Sequence, residues 1–264
     1  MAMTARQRAR TSLYAQLGIF IAVLVALAIT IDWATVRTAF FQFESLGGMF
    51  PTVITVGLKN TIFYTIISFF FALALGLLLA LMKLASFPPY RWIATGYIEF
   101  FRGIPALLVF ITFGFGIPTA FPGVVWPTWL VVMVALGLVA AAYIAETLRA
   151  GLQAVPRGQY EAARSLGMPG WRAMLTIIIP QAFKIVLPPL TNEFILVTKD
   201  TSLIFVLGLA VSDYELTKFG RDGILQFGAG ITPLVVAGAM YLIITLPLSQ
   251  LARKFESRAA KTKR

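Results

Sequence analysis

The chain has 264 residues, 59% of them hydrophobic and 12% charged, with a formal net charge of +11 and a mean hydropathy of +0.84. A soluble domain carries about twice that share of charge, so the solvent for most of this chain is lipid, and its basic excess reads as loop topology rather than nucleic-acid binding. Cys and His are absent, which excludes disulfides, thiol nucleophiles, His/Cys zinc sites and any Ser-His-Asp triad; no metal site is expected, and most enzyme chemistry goes with it.

Six apolar stretches reach the roughly 20 residues that a membrane span requires. The first, 15–33, follows Arg6, Arg8 and Arg10. Those arginines, the apolar run and Ala26-Leu27-Ala28 also fit a signal peptide cleaved near Ala28. The run is long for a signal and continues to Ile31, so it reads as a span; cleavage would leave five spans and an outside N-terminus. The second, 55–82, is longer than a core of about 30 Å needs at ~1.5 Å per residue. It is therefore tilted, or its Lys59–Asn60 end sits at the interface.

The third span, 97–117, carries Glu99 and Arg102, which share a helix face and can pair locally. A Pro- and Gly-rich stretch from Pro118 to Pro127 then turns the chain into the fourth, 127–146. The fifth, 181–209, contains Pro188-Pro189, which free backbone carbonyls and are expected to break the helix near mid-membrane. Asn192, Glu193, Thr198, Lys199 and Asp200 follow, and a broken helix beside polar groups is one way to build a midplane solute site. Helix packing by polar residues is the plainer alternative. The Phe pairs and triplets read as lipid-facing or core filler.

The sixth span, 233–251, leads into a tail with Arg253, Lys254, Arg258, Lys261, Lys263 and Arg264. Lys83, Arg91, Arg149, Arg157, Arg164 and Arg172 fall on the same side as both ends. The opposite loops hold Arg37, Lys218 and Arg221 against Asp32, Glu44, Asp213, Glu215 and Asp222. The positive-inside bias therefore places both termini in the cytoplasm.

The polar interruption from Glu146 to Pro180 is much longer than an ordinary helix–helix connection. Gln159 to Leu166 is built of good helix formers and stops at Gly167. Met168-Pro169-Gly170 is a turn, and a helix restarts at Trp171. Ala162 and Ala163 are small enough for another surface to approach, with Glu161 and Arg164 at the rim. The pattern suits a docking helix on the cytoplasmic face, or an ordinary structured loop.

Glu161-Ala162-Ala163-x-x-x-Gly167, followed by Ile177-x-Ile179-Pro180, resembles the EAA loop of bacterial ABC importer permeases, with Ile179 where the family usually has Leu. The likeness extends to Gly57-Leu58-Lys59-Asn60-Thr61, Glu99-Phe100-Phe101-Arg102-Gly103-Ile104-Pro105, Leu187-Pro188-Pro189-Leu190-Thr191-Asn192-Glu193 and Lys199-Asp200-Thr201-Ser202-Leu203. These motifs look like the polar amino-acid branch and cover residues 52–252.

The resemblance implies an all-α, polytopic transmembrane bundle with the type I importer permease fold in the bacterial inner membrane. Residues 1–51 would form a basic tail, first span and external loop. The permease core would be 52–252 with a coupling loop at 147–180, and 253–264 a basic tail. Tyr160, Glu161, Ala162, Ala163, Arg164 and Gly167 would dock on an ATPase dimer that binds ATP and Mg. A second permease subunit, identical or homologous, and an external solute-binding protein would complete the transporter. The chain contains no Gly-Lys dipeptide, hence no P-loop, and is expected to be neither an enzyme nor a cofactor binder.

A zwitterionic amino acid needs a cation and an anion or carbonyls. Asn192, Glu193 and Thr198, with Arg102 or Lys199, are the expected pathway residues. The alternatives are a self-contained secondary transporter or channel, which predicts symmetry between halves that the sequence does not display, and a membrane-embedded enzyme limited to carboxylate, Lys or Ser chemistry.

Overall fold

A computed structural model describes residues 5–262, which are helical with no strand among them. Lys263 and Arg264 of the basic tail lie outside the described residues, as do the side chains of Arg6, Arg8, Arg10, Arg258 and Lys261.

From Leu17 onward helix α1 (Ala5–Thr30) is apolar on every side, and all its residues from Thr11 onward are exposed on this chain. Asp32 then caps α2 (Trp33–Phe40), accepting from the Ala34 and Thr35 amides at 3.0 and 3.2 Å. Two long-range bonds hold this segment to the start of the last helix. The Ile231 amide donates to Ala39 O at 2.8 Å, and the Gln42 amide to Thr232 Oγ1 at 3.0 Å.

After the short α3 (Leu46–Met49), a π-helical turn at Val53–Leu58 runs into α4 (Lys59–Leu84). The Asn60 side chain donates to Ser212 O and Tyr214 O at 2.7 and 3.0 Å. That end of the long span is thus tied to a connecting loop.

The predicted third span is not one straight helix. α5 (Pro88–Gly103) and α6 (Ala106–Ile111), continued through a π segment into α7 (Ile117–Ala120), meet at an angle of 101°. Pro105 lacks an amide proton and forces the residue before it out of helical geometry. Ile104 is accordingly extended, with φ −97° and ψ 138°.

α8 (Thr128–Gln153) is followed by two short helices, α9 (Arg157–Ser165) and α10 (Gly170–Ala173). α11 (Ile179–Asp200), α12 (Leu216–Phe227) and α13 (Thr232–Thr262) complete the chain. Among the described residues, five helical stretches are long and apolar enough to cross a membrane: Thr11–Thr30, Val53–Leu84, Thr128–Gln153, Gly170–Val206 and Thr232–Ser257; the bent pair makes six if it counts as one span.

The core forms where α4 meets α8. A Cβ built on Gly76 falls 2.9 Å from Ile144 Cγ2 and 3.1 Å from the Ala141 carbonyl oxygen. Ala72, Ala140, Ala141 and Ala145 line the same seam and are buried. Small side chains let two backbones approach closely, which in lipid replaces the hydrophobic effect as the source of helix association.

The Pro188-Pro189 pair does not break its helix either. α11 runs through both prolines to Asp200 and then tightens into a 3-10 turn at Thr201–Val206. An interior proline costs about 3 kcal/mol. Here Val186, Pro188 and Leu190 are buried where α11 packs on α8 and α13, and that packing carries the helix across.

Candidate functional site

The coupling segment is built at one end of the bundle. Glu146 of α8 receives Lys83 Nζ of α4 at 2.6 Å on one oxygen and Arg149 Nη2 at 2.7 Å on the other. Arg149 Nη1 extends the chain to Gln153 Oε1 at 2.6 Å. These groups clamp α4 and α8 together just before the chain leaves the bundle.

α9 then packs against α10 and the π segment that follows it and stops in a Schellman turn. The Met168 amide donates to Ala163 O at 3.1 Å and the Gly167 amide to Arg164 O at 3.0 Å. Gly167 has φ +81°, a left-handed conformation that a Cβ penalises. Arg164 Nη1 donates to Met168 O at 2.8 Å and fastens the turn from outside.

The predicted coupling residues are therefore contiguous, but they do not all face outward. Ala163 is 3% exposed and packs inward; it seats α9 on its own chain rather than offering a surface to a partner. Glu161, Ala162 and Arg164 are exposed, and no ion pair forms at Glu161 among the described residues. Tyr160 and Glu161 also line a cavity of about 560 Å³ beside Arg157 and Met174. Leu166 and Trp171 are 87% and 69% exposed, and the sequence reading passed over them. Large apolar side chains flanking a short polar helix at a bundle end were the available signal.

The second candidate region is the polar stretch of α11. Glu193 and Asp200 lie seven residues apart, about two turns, on one face, and both are half-buried. Asn192 and Lys199 are exposed on this chain. Thr198 is fully buried and its hydroxyl donates to Phe194 O at 2.8 Å, so it faces packing rather than open space. The expected Glu99–Arg102 pair does not form. Both side chains are exposed, and the Arg102 guanidinium instead lies 5.7 Å from the centre of the Tyr143 ring, just before the bend.

One buried acid was missed. Glu215 is fully buried and caps α12, its Oε1 accepting from the Lys218 amide at 2.6 Å and its Oε2 from the Thr217 amide. Tyr241 Oη of α13 donates to the same Oε2 at 3.0 Å. Burial pushes this carboxyl up to about 7, against the pull of those hydrogen bonds. An acid at an external loop with an unremarkable neighbourhood gave no sequence signal, because its partner Tyr241 lies 26 residues away.

The arrangement holds an exposed short helix at one end of the bundle and half-buried carboxylates along α11. The sequence family described as "Binding-protein-dependent transport system inner membrane component" matches residues 72–261. A probable glutamine ABC transporter permease protein, GlnM, of Bacillus subtilis is 36% identical over 78% of this chain and 93% of its own length. The arginine transport system permease protein ArtQ of the same organism is 35% identical over 76% and 90%. The glutamate/aspartate import permease GltK of Escherichia coli O6:H1 is 34% identical over 83% and 99%. Among solved structures, an amino acid ABC transporter crystallised with histidines aligns with TM-score 0.73 and 36% identity, over 82% of this chain and 98% of that one. The MetNI methionine transporter, at 19% identity and TM-score 0.62 over 79% and 98%, shares the fold. The chain belongs to the family of inner-membrane components of binding-protein-dependent transport systems, as a multi-pass permease subunit.

Proposed function

We propose that this permease subunit imports a polar amino acid, drawn from glutamate, glutamine, aspartate and the basic amino acids, delivered by an external solute-binding protein and driven by a separate ATPase. The observation that carries the reading is α9. An exposed helix bearing Glu161, Ala162 and Arg164, locked by a turn at Gly167, stands where a partner can grip it. The relatives at 34–36% identity, named for glutamine, arginine and glutamate/aspartate, supply the solute class.

ATP and Mg are bound by the ATPase dimer. Two permease subunits, identical or homologous, enclose the pathway, with both termini of this chain in the cytoplasm. Closure of the ATPase pair draws the two α9 helices together, and α10 with the following π segment passes that movement into α11. The equilibrium shifts because α9 contacts differ between the closed and open ATPase. Arg102, Asn192, Glu193 and Lys199 border the pathway, with Thr198 packed behind them. A secondary transporter has no use for the α9 surface.

The test is co-purification with the cognate ATPase subunit. Glu161→Lys combined with Gly167→Asp reverses a rim charge and strains the turn. It is expected to abolish association while the chain still inserts into membranes. Retained association and ATP-driven uptake in the double variant overturns the coupling assignment.

A further inference from the structure

The charges in the C-terminal half of α11 divide between two faces. Glu193 and Asp200 share one side, whereas Lys199 is turned about a third of a circle away by the ~100° step per residue. Lys199 opens onto a cavity of about 300 Å³ between the end of α11, α12 and α13. Ser202, Thr217 and Tyr241 line it with Lys199, and Ala237 and Gly238 of α13 leave the space. The volume is at the lower end for a small-molecule pocket and suits the head of an amino acid, not a polymer.

The polar wall is held in place. Tyr241 Oη donates to Glu215 Oε2 at 3.0 Å, accepts from Thr217 Oγ1 at 3.3 Å and lies 3.1 Å from Thr201 Oγ1. The Glu215 oxygens are already engaged by Tyr241 and by the Thr217 and Lys218 amides, so this acid is committed to the fold. Lys199 forms no ion pair among the described residues. An ammonium within a span is costly unless it meets a partner or water, and its retention marks a solute route. The Thr217 proton is spent on Tyr241 and the Tyr241 proton on Glu215, so the open groups of this cavity are one cation and the Ser202 hydroxyl, a charged and a neutral donor of the kind a carboxylate requires.

We propose that this cavity receives the carboxylate of the transported amino acid, with Lys199 as the countercharge and Ser202 as hydrogen-bond donor. The proposal rests on the amino-acid reading above and deepens it. Tyr241 is a positioning residue, since its hydroxyl is spent on Glu215.

The permease–ATPase complex, purified in detergent without the binding protein, provides the test. Equilibrium binding is measured for two pairs: arginine against agmatine, and glutamine against 4-aminobutanamide, each amine lacking only the carboxylate. The wild-type complex is expected to prefer at least one amino acid over its amine by about tenfold or more, the weight of a charged hydrogen bond. Lys199→Gln erases that preference by weakening amino-acid binding alone, and Lys199→Arg restores most of it. Co-purification of the ATPase reports that each variant is folded. If Lys199→Gln keeps both affinity and preference, the carboxylate site is wrong and the amino-acid reading stands. If the wild type binds neither amino acid, and reconstituted vesicles with the binding protein take up none, the amino-acid reading fails and this site fails with it.

Discussion

Glu215 illustrates how a single residue can be decisive without belonging to a motif. Its carboxyl does three jobs: it accepts two amides at the start of α12, anchors Tyr241 of α13, and sits beside the cavity that Tyr241 lines. Removing such a cap costs about 1–2 kcal/mol, and the unpaired amides and hydroxyl left behind add to it. Its acidity has a sign that can be read in solution. The folded chain raises this group from 4.5 to about 7, so between those values it holds a proton that the unfolded chain has released. Its contribution to stability is full below about pH 4.5 and declines as pH rises to about 7. Glu215→Gln removes the titration and keeps the shape. The Tm of wild type minus that of Glu215→Gln, measured on detergent-purified protein, is expected to fall steadily from pH 5 to pH 8. A flat or rising difference means that the three donors outweigh burial and the group stays ionised.

At the scale of elements, the spans were legible and their joints were not. Apolar runs predicted at 55–82 and 127–146 correspond to helices at 53–84 and 128–153, because a membrane demands one length and one composition. The short helix predicted at 159–166 is observed at Arg157–Ser165, with its turn at Gly167. The effect of the prolines, by contrast, was not legible. Pro105 bends the chain within the span predicted at 97–117, whereas Pro188 and Pro189 pass through a helix that was expected to break. A proline's local cost is the same in both places; packing decides, and packing is not written locally. Pro188 is buried between neighbouring helices, while Pro105 is exposed at an end. The α4–α8 seam gives a direct measure of such packing. Gly76→Ala places a methyl against the Ala141 carbonyl and Ile144, with backbone on one side and a β-branched residue on the other. That overpacking is expected to cost about 1–3 kcal/mol, a fall of roughly 3–10 °C in Tm. Gly96→Ala in α5 meets nothing within 4 Å and should leave Tm unchanged or raise it slightly. Equal Tm values for the two variants argue against close approach at this seam.

Across the whole molecule, the two ends of the bundle differ in chemistry. One gathers Lys83, Glu146, Arg149 and α9; the other gathers the α12 region, where Lys218 meets Asp222 at 3.0 Å and Thr128 meets Asp213 at 2.7 Å. Charge counting separated these ends, but it did not reveal that the first helix stands apart from them. The relatives named above are aligned over 90–99% of their own lengths, yet over only 76–83% of this chain. The core seams that hold the fold join α4, α5, α8, α11, α12 and α13, and α1 contributes no buried residue from Thr11 onward. Its apolar surface is satisfied by lipid, which gains nothing by exchanging one hydrocarbon contact for another. What fixes the N-terminal region to the core is α2, through Ala39 and Gln42 at the start of α13. A variant lacking residues 1–31 keeps those contacts. Its Tm in detergent is expected to stay within about 2 °C of the full chain, the shift that a change under ~1 kcal/mol produces in a domain of this size. Extending the deletion through residue 42 removes both hydrogen bonds to α13 and should lower Tm further. A large fall on the first deletion alone would mean that α1 packs against the core after all.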